Sequence, residues 1–232
     1  MSDKSTGSIR TSIAVIGGGI CGLGIGWRLA AAGCRVDIFE RGEAGREASW
    51  AAAGMLAAHV ETEPGEEMLL ALNLESQAAW PAFAAELAAV SGVDVGYRDE
   101  GTLVVAAHRD DVAELRNTYE FQRGLGLEID WLTGGQARRM EPHLAPGVSG
   151  AVFSRKDHQV DNRQLVTALR AAFLAAGGTL HEHTAVDAVD VSGNRARGVV
   201  VGGRRHEADV VLLAAGAWSY DIDGLPPLGR PP

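Results

Sequence analysis

Apolar runs of two different periods alternate along this 232-residue chain and predict an α/β fold. The β-branched run at 12–16 is typical of a buried parallel strand. The apolar positions of Leu23–Ala30 suit one face of a helix, and Gly33 is a natural stop for it. A second strand at 36–39 ends at Glu40, so this region predicts one complete β-α-β unit.

Helical and strand patterns continue to alternate up to residue 214. The helix at 162–176 and the strand at 179–183 return the chain to the parallel sheet, and the strand at 208–214 is expected to be buried. Thr133 is expected to cap a short helix that ends before Glu141. The other predicted helices cover 66–90, as one helix or as two with Pro81 starting the second, and 110–123. The other predicted strands cover 101–107, 128–132, 148–154, 186–191 and 197–201.

The charge and cysteine content exclude several kinds of partner. Lys plus Arg is 21 and Asp plus Glu is 30, so the formal net charge is −9, and nucleic acid is not expected as a partner. Two cysteines are too few for a disulfide framework, which favours a cytoplasmic location. The apolar stretch Ile13–Ala32 holds six glycines and Arg28, which makes it a poor membrane span, and no membrane association is expected.

The glycines between the first strand and the first helix match the dinucleotide-binding pattern G-x-G-x-x-G. Gly17 allows a tight turn, Gly19 lets the backbone approach a pyrophosphate, and Gly22 lets the helix pack closely on the sheet. The amides and dipole of the helix N-terminus favour the anion. Glu40 is placed to accept hydrogen bonds from ribose hydroxyls, and its charge disfavours a 2′-phosphate. The alternative is a glycine-rich helix in a domain that binds nothing.

The segment after the second strand favours a flavin over a nicotinamide. A nicotinamide-binding domain usually continues into another helix and parallel strand. Here a loop of small residues follows, at 46–56, and its backbone can lie against a flat ring system. The fingerprint alone leaves both cofactors open.

Several motifs in order and spacing resemble the glycine oxidase branch of the D-amino-acid oxidase family. The most specific is Ala51-Ala-Ala-Gly-Met-Leu56, which follows the β-α-β unit. The resemblance runs from about Ile13 to Ser219 and includes the segments 15–20, 39–40, 49–56, 91–95, 157–161, 182–184 and 214–219.

The resemblance implies that FAD is bound in an extended form. It places Ile20 and Cys21 beside the pyrophosphate, and Glu40 and Arg41 at the adenosine ribose. Val186 would contact the adenine end through its backbone. The flavin side would be lined by Ala48, Ser49, Ala53, Gly54 and Met55, and Gly216 completes the expected cofactor-binding set.

The resemblance also implies the domain organisation. We expect a Rossmann-like FAD-binding domain with a three-stranded β excursion, formed by residues 1–90 and 150–225. Residues 91–149 would begin an α+β substrate domain. Family members continue beyond Leu225–Pro232, and the arginine that grips the substrate carboxylate is expected in that further part. We therefore expect this chain alone to be poorly soluble or inactive, unless a complementing C-terminal chain carries the remainder. A homo-oligomer is also expected as an assembly.

The activity that the resemblance implies is oxidation of glycine or another small (D-)amino acid or amine. The products would be an imine or keto acid, ammonia and hydrogen peroxide, with dioxygen as the electron acceptor, and the pathway would be thiamine biosynthesis. No catalytic side chain is nominated. The alternatives are a quinone-linked amino-acid dehydrogenase, a non-catalytic or partner-dependent FAD-binding fragment, and an NAD-dependent dehydrogenase.

Three further features are interpreted as structural rather than chemical. Cys21 lies at a helix N-terminus but has no base or second cysteine beside it. His181 and His183 alternate on a strand as metal ligands do, yet no third ligand is evident, and no metal is expected. His158 and Asp161 suggest a pair, but Asp161 is expected to cap the following helix.

Overall fold

The computed structural model describes residues 10–225. Clustering of contacts divides them into two units: the first holds the residues up to Ala52, 87–93 and those from Asn162 on, and the second holds 53–86 and 94–161. The elements in chain order are β1 (Ser12–Ile16), α1 (Ile20–Ala31), β2 (Arg35–Phe39), α2 (Ala48–Ala51), β3 (Met55–Leu56), α3 (Glu67–Ser91), β4 (Thr102–Ala106), α4 (Asp111–Gly124), β5 (Ile129–Thr133), α5 (Gly134–Met140), β6 (Gly150–Ser154), β7 (His158–Gln159), α6 (Asn162–Ala175), β8 (Thr179–His181), β9 (Ala188–Ser192), β10 (Arg195–Val201), β11 (Arg204–Glu207), β12 (Val210–Leu213) and a 3₁₀ helix (Gly216–Asp221).

A parallel four-stranded sheet in the order β12-β1-β2-β8 forms the centre of the first unit. β1 pairs with β2 from Ser12 opposite Arg35 to Ile16 opposite Phe39. β8 joins the other side of β2 in parallel. The predicted β-α-β unit and the predicted return of the chain to this sheet are therefore confirmed.

Helices α1 and α6 pack against each other, and α1 packs against β1 and β2 of the parallel sheet. The buried face of α6 includes Leu165, Leu169 and Phe173, which repeat at helical spacing. Gly26 in α1 permits the close approach to the sheet, because a Cβ there would lie 2.8 Å from Ile38 Cδ1. Side-chain size on α1 thus sets how closely the helix layer covers the strands.

The opposite face of the sheet is covered by a three-stranded antiparallel sheet in the order β11-β10-β9. Ile16 and Phe39 from the parallel strands share one apolar cluster with Val189 and Val199 from the antiparallel strands. The expected three-stranded β excursion is therefore present. Its third strand, β11, was absent from the predicted elements because its exposed sequence Arg-Arg-His-Glu has no apolar alternation.

The strand predicted at 208–214 is present but is less buried than predicted. β12 lies at the edge of the parallel sheet within the described residues, and 47% of Val210 is exposed. An edge strand is covered on fewer sides than a central one, so its apolar side chains keep partial contact with solvent.

The second unit contains an antiparallel sheet in the order β4-β6-β5 and a short antiparallel pair, β3 and β7. Ile129 and Val152 from the larger sheet form an apolar cluster with Ala57 and Val60, against which Leu115 of α4 packs. The strands predicted at 101–107, 128–132 and 148–154 correspond to β4, β5 and β6. α3 is one continuous helix that includes Pro81, although the sequence had left open whether Pro81 begins a second one.

The boundaries between the units differ from those expected from the sequence. Residues 53–86 and 150–161 cluster with the second unit rather than the first. The reason is strand pairing, because β6 lies between β4 and β5, and β7 pairs with β3. Which unit holds cofactor and which holds substrate stays a prediction. Among residues 10–225, each helix is too short or too polar to cross a bilayer.

Replacing Thr133 by alanine is expected to lower the free energy of unfolding by about 1 kcal/mol. Thr133 and Gln136 form a capping box at the start of α5, with Gln136 N donating to Thr133 Oγ1 (3.3 Å) and Thr133 N donating to Gln136 Oε1 (2.8 Å). Urea denaturation followed by circular dichroism measures the change. The control is Thr167→Ala inside α6, where alanine is the better helix former; equal losses in both variants would contradict the capping role.

Candidate functional site

The turn from β1 into α1 is too tight for side chains at two of its glycines. Gly17 has a φ of +105°, and a Cβ there would overlap the carbonyl of Ala214 at the end of β12. A Cβ on Gly22 would overlap the carbonyl oxygen of Gly17 and would lie 3.4 Å from Val15 Cγ1. The predicted roles of these glycines, a tight turn and a closely packed helix, match this geometry.

Gly19 differs from its neighbours because the space in front of it is open. A Cβ on Gly19 would have a single neighbour within 4 Å, Ser49 Oγ at 3.2 Å. Its φ of −76° suits any residue. Packing within the described residues therefore gives no strong reason for glycine at this position, whereas the approach of a ligand to the backbone does.

The N-terminus of α1 presents main-chain amides to this open space. Ile20 N donates to Ser49 Oγ (3.0 Å), and the first intrahelical bond runs from Leu23 N to Gly19 O (2.9 Å). The amides of Cys21 and Gly22 therefore precede the helical hydrogen-bond ladder. Twelve residues of aligned peptide dipoles make this end of the helix attractive to an anion.

Glu40, at the end of β2, is a buried carboxylate with 8% of its surface exposed. Its Oε2 accepts from Gly18 N (2.8 Å) and its Oε1 accepts from Gly42 N (2.8 Å). Through these two bonds Glu40 connects the glycine turn to the loop that follows β2. The sequence predicted only a ligand-binding role for Glu40 and not this structural one. Each carboxylate oxygen of Glu40 has a further lone pair, so it can still accept the predicted hydrogen bonds from ribose hydroxyls.

Arg41 lies flat over an aromatic ring beside Glu40. Its guanidinium carbon is 3.8 Å from the centre of the Trp218 ring, and its Nη2 donates to Glu47 Oε1 (3.2 Å). These two contacts hold the guanidinium over the ring. Arg41 was predicted to be a cofactor residue. The sequence did not predict its partner Trp218, which lies 177 positions further along the chain.

The loop after β2 is tied to the segment after β8. Thr184 N donates to Glu40 O (2.7 Å), and Ala44 N donates to Glu182 Oε1 (2.8 Å). Arg170 of α6 donates to both oxygens of Glu182, at 2.7 and 2.5 Å. Burial alone would raise the pKa of Glu182, but the bonds from Ala44 and Arg170 outweigh it and hold this pKa below its ordinary value.

These elements enclose a cavity of about 360 Å³ in the first unit. Its lining is apolar and aromatic apart from a few polar groups, as small-molecule sites usually are. Ten of the fourteen predicted cofactor residues line it: Gly17, Gly19, Ile20, Cys21, Glu40, Arg41, Ala48, Ser49, Val186 and Gly216. The donors at the helix N-terminus suit a diphosphate, and Glu40 suits a sugar, so the residues present fit a dinucleotide.

The remaining four predicted residues are placed elsewhere. Gly22 lies behind the turn, where it contacts Gly17. Ala53, Gly54 and Met55 belong to the second unit and are not among the residues that line the cavity. Their assignment to the flavin side stays a prediction.

The expectation of a loop of small residues throughout 46–56 was wrong for its central part. Residues Ala48–Ala51 form the short helix α2, which alanine favours. Asn162 Nδ2 donates to the carbonyl oxygens of Ser49 (2.8 Å) and Trp50 (3.0 Å), which satisfies groups at the end of this helix. Trp50 lies between the guanidinium groups of Arg46 (3.8 Å) and Arg163 (4.9 Å).

The histidines and cysteines weighed from the sequence occupy structural positions. His181 Nε2 lies 2.8 Å from Asp37 Oδ1, and its ring stacks on Phe39. His158 Nδ1 lies 2.6 Å from Tyr97 Oη, so its partner is Tyr97 rather than the suggested Asp161. Within residues 10–225 no group of three metal-ligating side chains occurs, and Cys21 and Cys34 are both free thiols.

Comparison with protein families gives one match over nearly the whole chain. The model of a family described as FAD dependent oxidoreductase matches residues 12–232. Among curated proteins, the chain is 39% identical over 212 residues to the glycine oxidase of Geobacillus kaustophilus, covering 90% of this chain and 55% of that protein. It is also 31% identical over 220 residues to the bifunctional protein ThiO/ThiG of Synechocystis sp., covering 93% of this chain and 31% of that protein.

Solved structures give the same result for the fold. The glycine oxidase structure from Geobacillus kaustophilus superposes with a TM-score of 0.84 at 38% identity, over 92% of this chain and 57% of that one. The glycine oxidase structure from Bacillus cereus gives a TM-score of 0.82 at 32% identity, over 92% and 57%. The chain thus spans a little over half the length of the glycine oxidases that it matches.

Two alanine substitutions in α1 are expected to act in opposite directions. Gly22→Ala forces a Cβ against the Gly17 carbonyl and should lower the free energy of unfolding by about 1–3 kcal/mol. Gly24→Ala meets only Leu169 Cδ2 at 4.0 Å and should raise it by about 0.5–1 kcal/mol through helix propensity. Urea denaturation measures the change in the free energy of unfolding for each variant. Similar changes in the two variants would refute the close contact at Gly22.

Glu182→Gln is expected to destabilise the chain in a pH-dependent way. The pKa of Glu182 in the folded chain lies below its ordinary value of 4.5, so its stabilising effect is fully present above pH 4.5 and is lost as the pH falls through the folded-state pKa. The variant should lose about 1–2 kcal/mol at pH 7, and the difference from the unsubstituted chain should shrink below pH 4.5. Urea midpoints at several pH values measure this, with the exposed Glu207→Gln as control. A difference in stability between the variant and the unsubstituted chain that does not vary with pH would contradict the lowered pKa of Glu182.

Proposed function

Because the chain belongs to the family of FAD-dependent oxidoreductases, we propose that the cavity of the first unit holds FAD. The observation that carries this proposal is the open backbone at Gly19 in front of the α1 amides, with Glu40 fixed beside it. Ile20 and Cys21 face the pyrophosphate through their main chain. Glu40 binds the adenosine ribose, and Arg41 lies beside it on Trp218.

The segment around Val186 receives the adenine end of the cofactor in this proposal. Val186 is 9% exposed, lines the cavity and follows the Glu182 anchor. The loops that carry Glu40 and Glu182 are tied together by hydrogen bonds, so the adenosine part meets a preformed surface. Ala48, Ser49, Ala53, Gly54 and Met55 are assigned to the flavin side.

We propose that the activity of the whole protein is oxidation of glycine or another small amino acid or amine. FAD held in the cavity would supply the acceptor for a hydride from the substrate α-carbon, and dioxygen would be the electron acceptor that yields hydrogen peroxide. The substrate amine loses a proton, and the imine product takes up water to give the keto acid and ammonia. The names of the curated relatives, glycine oxidase and bifunctional protein ThiO/ThiG, support this substrate class and a place in thiamine biosynthesis.

In this reaction the described residues bind and orient the cofactor and exclude water from its diphosphate. We nominate no side chain of this chain as an acid or base. A non-catalytic or partner-dependent FAD-binding role is the second candidate, since the same cavity would serve it. A quinone in place of dioxygen as the electron acceptor is a third variant of the same proposal.

The reactivity of the two cysteines tests cofactor binding directly. Cys21 is exposed and lines the cavity, whereas Cys34 lies outside its lining. FAD or ADP at about ten times its dissociation constant should slow the reaction of a thiol reagent with Cys21 about tenfold. The rate at Cys34 should stay the same, and Cys21→Ser should remove the protected phase. Equal rates at Cys21 with and without either nucleotide would exclude FAD from this cavity.

Product analysis tests the proposed reaction. The purified protein should show flavin absorbance that bleaches when glycine, sarcosine or D-alanine is added without oxygen. With oxygen, peroxide and ammonia, or methylamine from sarcosine, should appear in equal amounts. Flavin absorbance without bleaching by any of the three would favour the non-catalytic role. Bleaching without peroxide in oxygen would favour the quinone-linked variant.

A further inference from the structure

Asp157 is a fully buried carboxylate in the second unit, with 0% of its surface exposed. It accepts four hydrogen bonds from three residues. His59 donates through its main-chain N (2.9 Å) and lies at 3.0 Å through Nδ1; Val60 N donates at 2.9 Å and Gln77 Nε2 at 3.0 Å. None of these groups belongs to the cavity residues assigned to FAD.

The four donors keep Asp157 ionised in spite of its burial. Burial alone would raise the pKa of Asp157, but the hydrogen bonds from His59, Gln77 and Val60 outweigh it and hold the pKa below its ordinary value. A buried charge is tolerated only while its partners stay in place. The carboxylate therefore fixes the positions of the groups that donate to it.

These donors converge on one irregular stretch of chain, residues 54–62. Gln77 Nε2 also donates to Leu56 O (2.9 Å), and Val160 N donates to Gly54 O (2.9 Å). Gln122 Nε2 donates to the carbonyl oxygens of Val60 (3.0 Å) and Thr62 (3.2 Å). Only Met55 and Leu56 in this stretch belong to a strand. The rest of the stretch has no strand pairing, and hydrogen bonds from side chains elsewhere in the chain hold its backbone.

The same carboxylate fixes the proton of His59. An ionised carboxylate can only accept hydrogen bonds, so the imidazole nitrogen beside Asp157 Oδ1 must carry a hydrogen. In the neutral ring this makes Nδ1 the donor and Nε2 an acceptor. His59 is 7% exposed, so its ring is held within the unit in one tautomer.

We infer that Asp157 is a positioning residue that fixes residues 54–62 and the tautomer of His59. Through Gly54 O and the β3–β7 pairing, this anchoring reaches Gly54 and Met55. The consequence for the flavin rests on the proposed function, which assigns those two residues to the flavin side. The carboxylate sets the orientation of that segment and touches neither cofactor nor substrate.

Asp157→Asn tests this inference with little change in shape. An amide has one acceptor oxygen and adds a donor NH₂, so at least one of the N–H groups of His59 and Val60 loses its partner. Amide hydrogen exchange at His59, at Val60 or at both should quicken at least about tenfold, while exchange in β1 stays within about twofold. Nitrogen chemical shifts of His59 should show loss of the single Nδ1–H tautomer. The control is Asp130→Asn on an exposed position of β5.

The flavin provides the second readout. The Asp157→Asn variant should keep its affinity for ADP within about twofold, while the visible circular dichroism of bound FAD changes. Unchanged exchange and an unchanged His59 tautomer would overturn the inference. Faster exchange with an unchanged flavin spectrum would overturn the link to the flavin segment. If the unsubstituted chain binds no FAD, the proposed function fails, and exchange at His59 and Val60 still decides the role of Asp157.

Gln77→Met provides the test if the asparagine variant does not fold. It removes one donor to Asp157 and the bond to Leu56, with nearly the same side-chain length. Exchange at Leu56 and His59 should then quicken about threefold or more, with the exchange in β1 again unchanged. Exchange at Leu56 and His59 that matches the unsubstituted chain would overturn the inference.

Discussion

The contact between Gly17 and Gly22 is the constraint on which the candidate site depends. It lets α1 begin directly at the end of β1, with its first amides facing an open space rather than a side chain. A Cβ at Gly22 would move the helix away from the sheet and would disperse those amides, and a Cβ at Gly17 would overlap the carbonyl of Ala214. The site for an anion is therefore a consequence of how closely a helix can follow a strand.

Three carboxylates then hold irregular chain segments in place. Glu40 connects the glycine turn to the next loop, and Glu182 connects that loop to α6 through Arg170. Asp157 does the same for residues 54–62 in the second unit. In each case a carboxylate accepts main-chain N–H groups that have no strand or helix partner. Such bonds are stronger than neutral ones, and they fix loops without adding apolar core.

The parts of this structure that the sequence predicts are those with local causes. The period of apolar residues predicts β1, α1 and α6, and Thr133 predicts the start of α5. The parts that it missed have distant causes. Ser49 binds the N-terminus of a helix 29 positions away, and Asp157 binds His59 at a separation of 98. β11 is polar throughout, and the edge position of β12 depends on pairing that the apolar period does not encode.

The affinity of the Gly19→Val variant for ADP and FAD, measured by isothermal titration calorimetry, tests the central claim most directly. A Cβ at position 19 would meet only Ser49 Oγ, at 3.2 Å, among the described residues, and the φ of −76° suits valine, so the fold should persist. The account predicts that the affinity for both nucleotides falls at least about 100-fold while the unfolding midpoint hardly changes. Undiminished affinity in a folded Gly19→Val chain would show that the nucleotide does not approach the backbone at the start of α1.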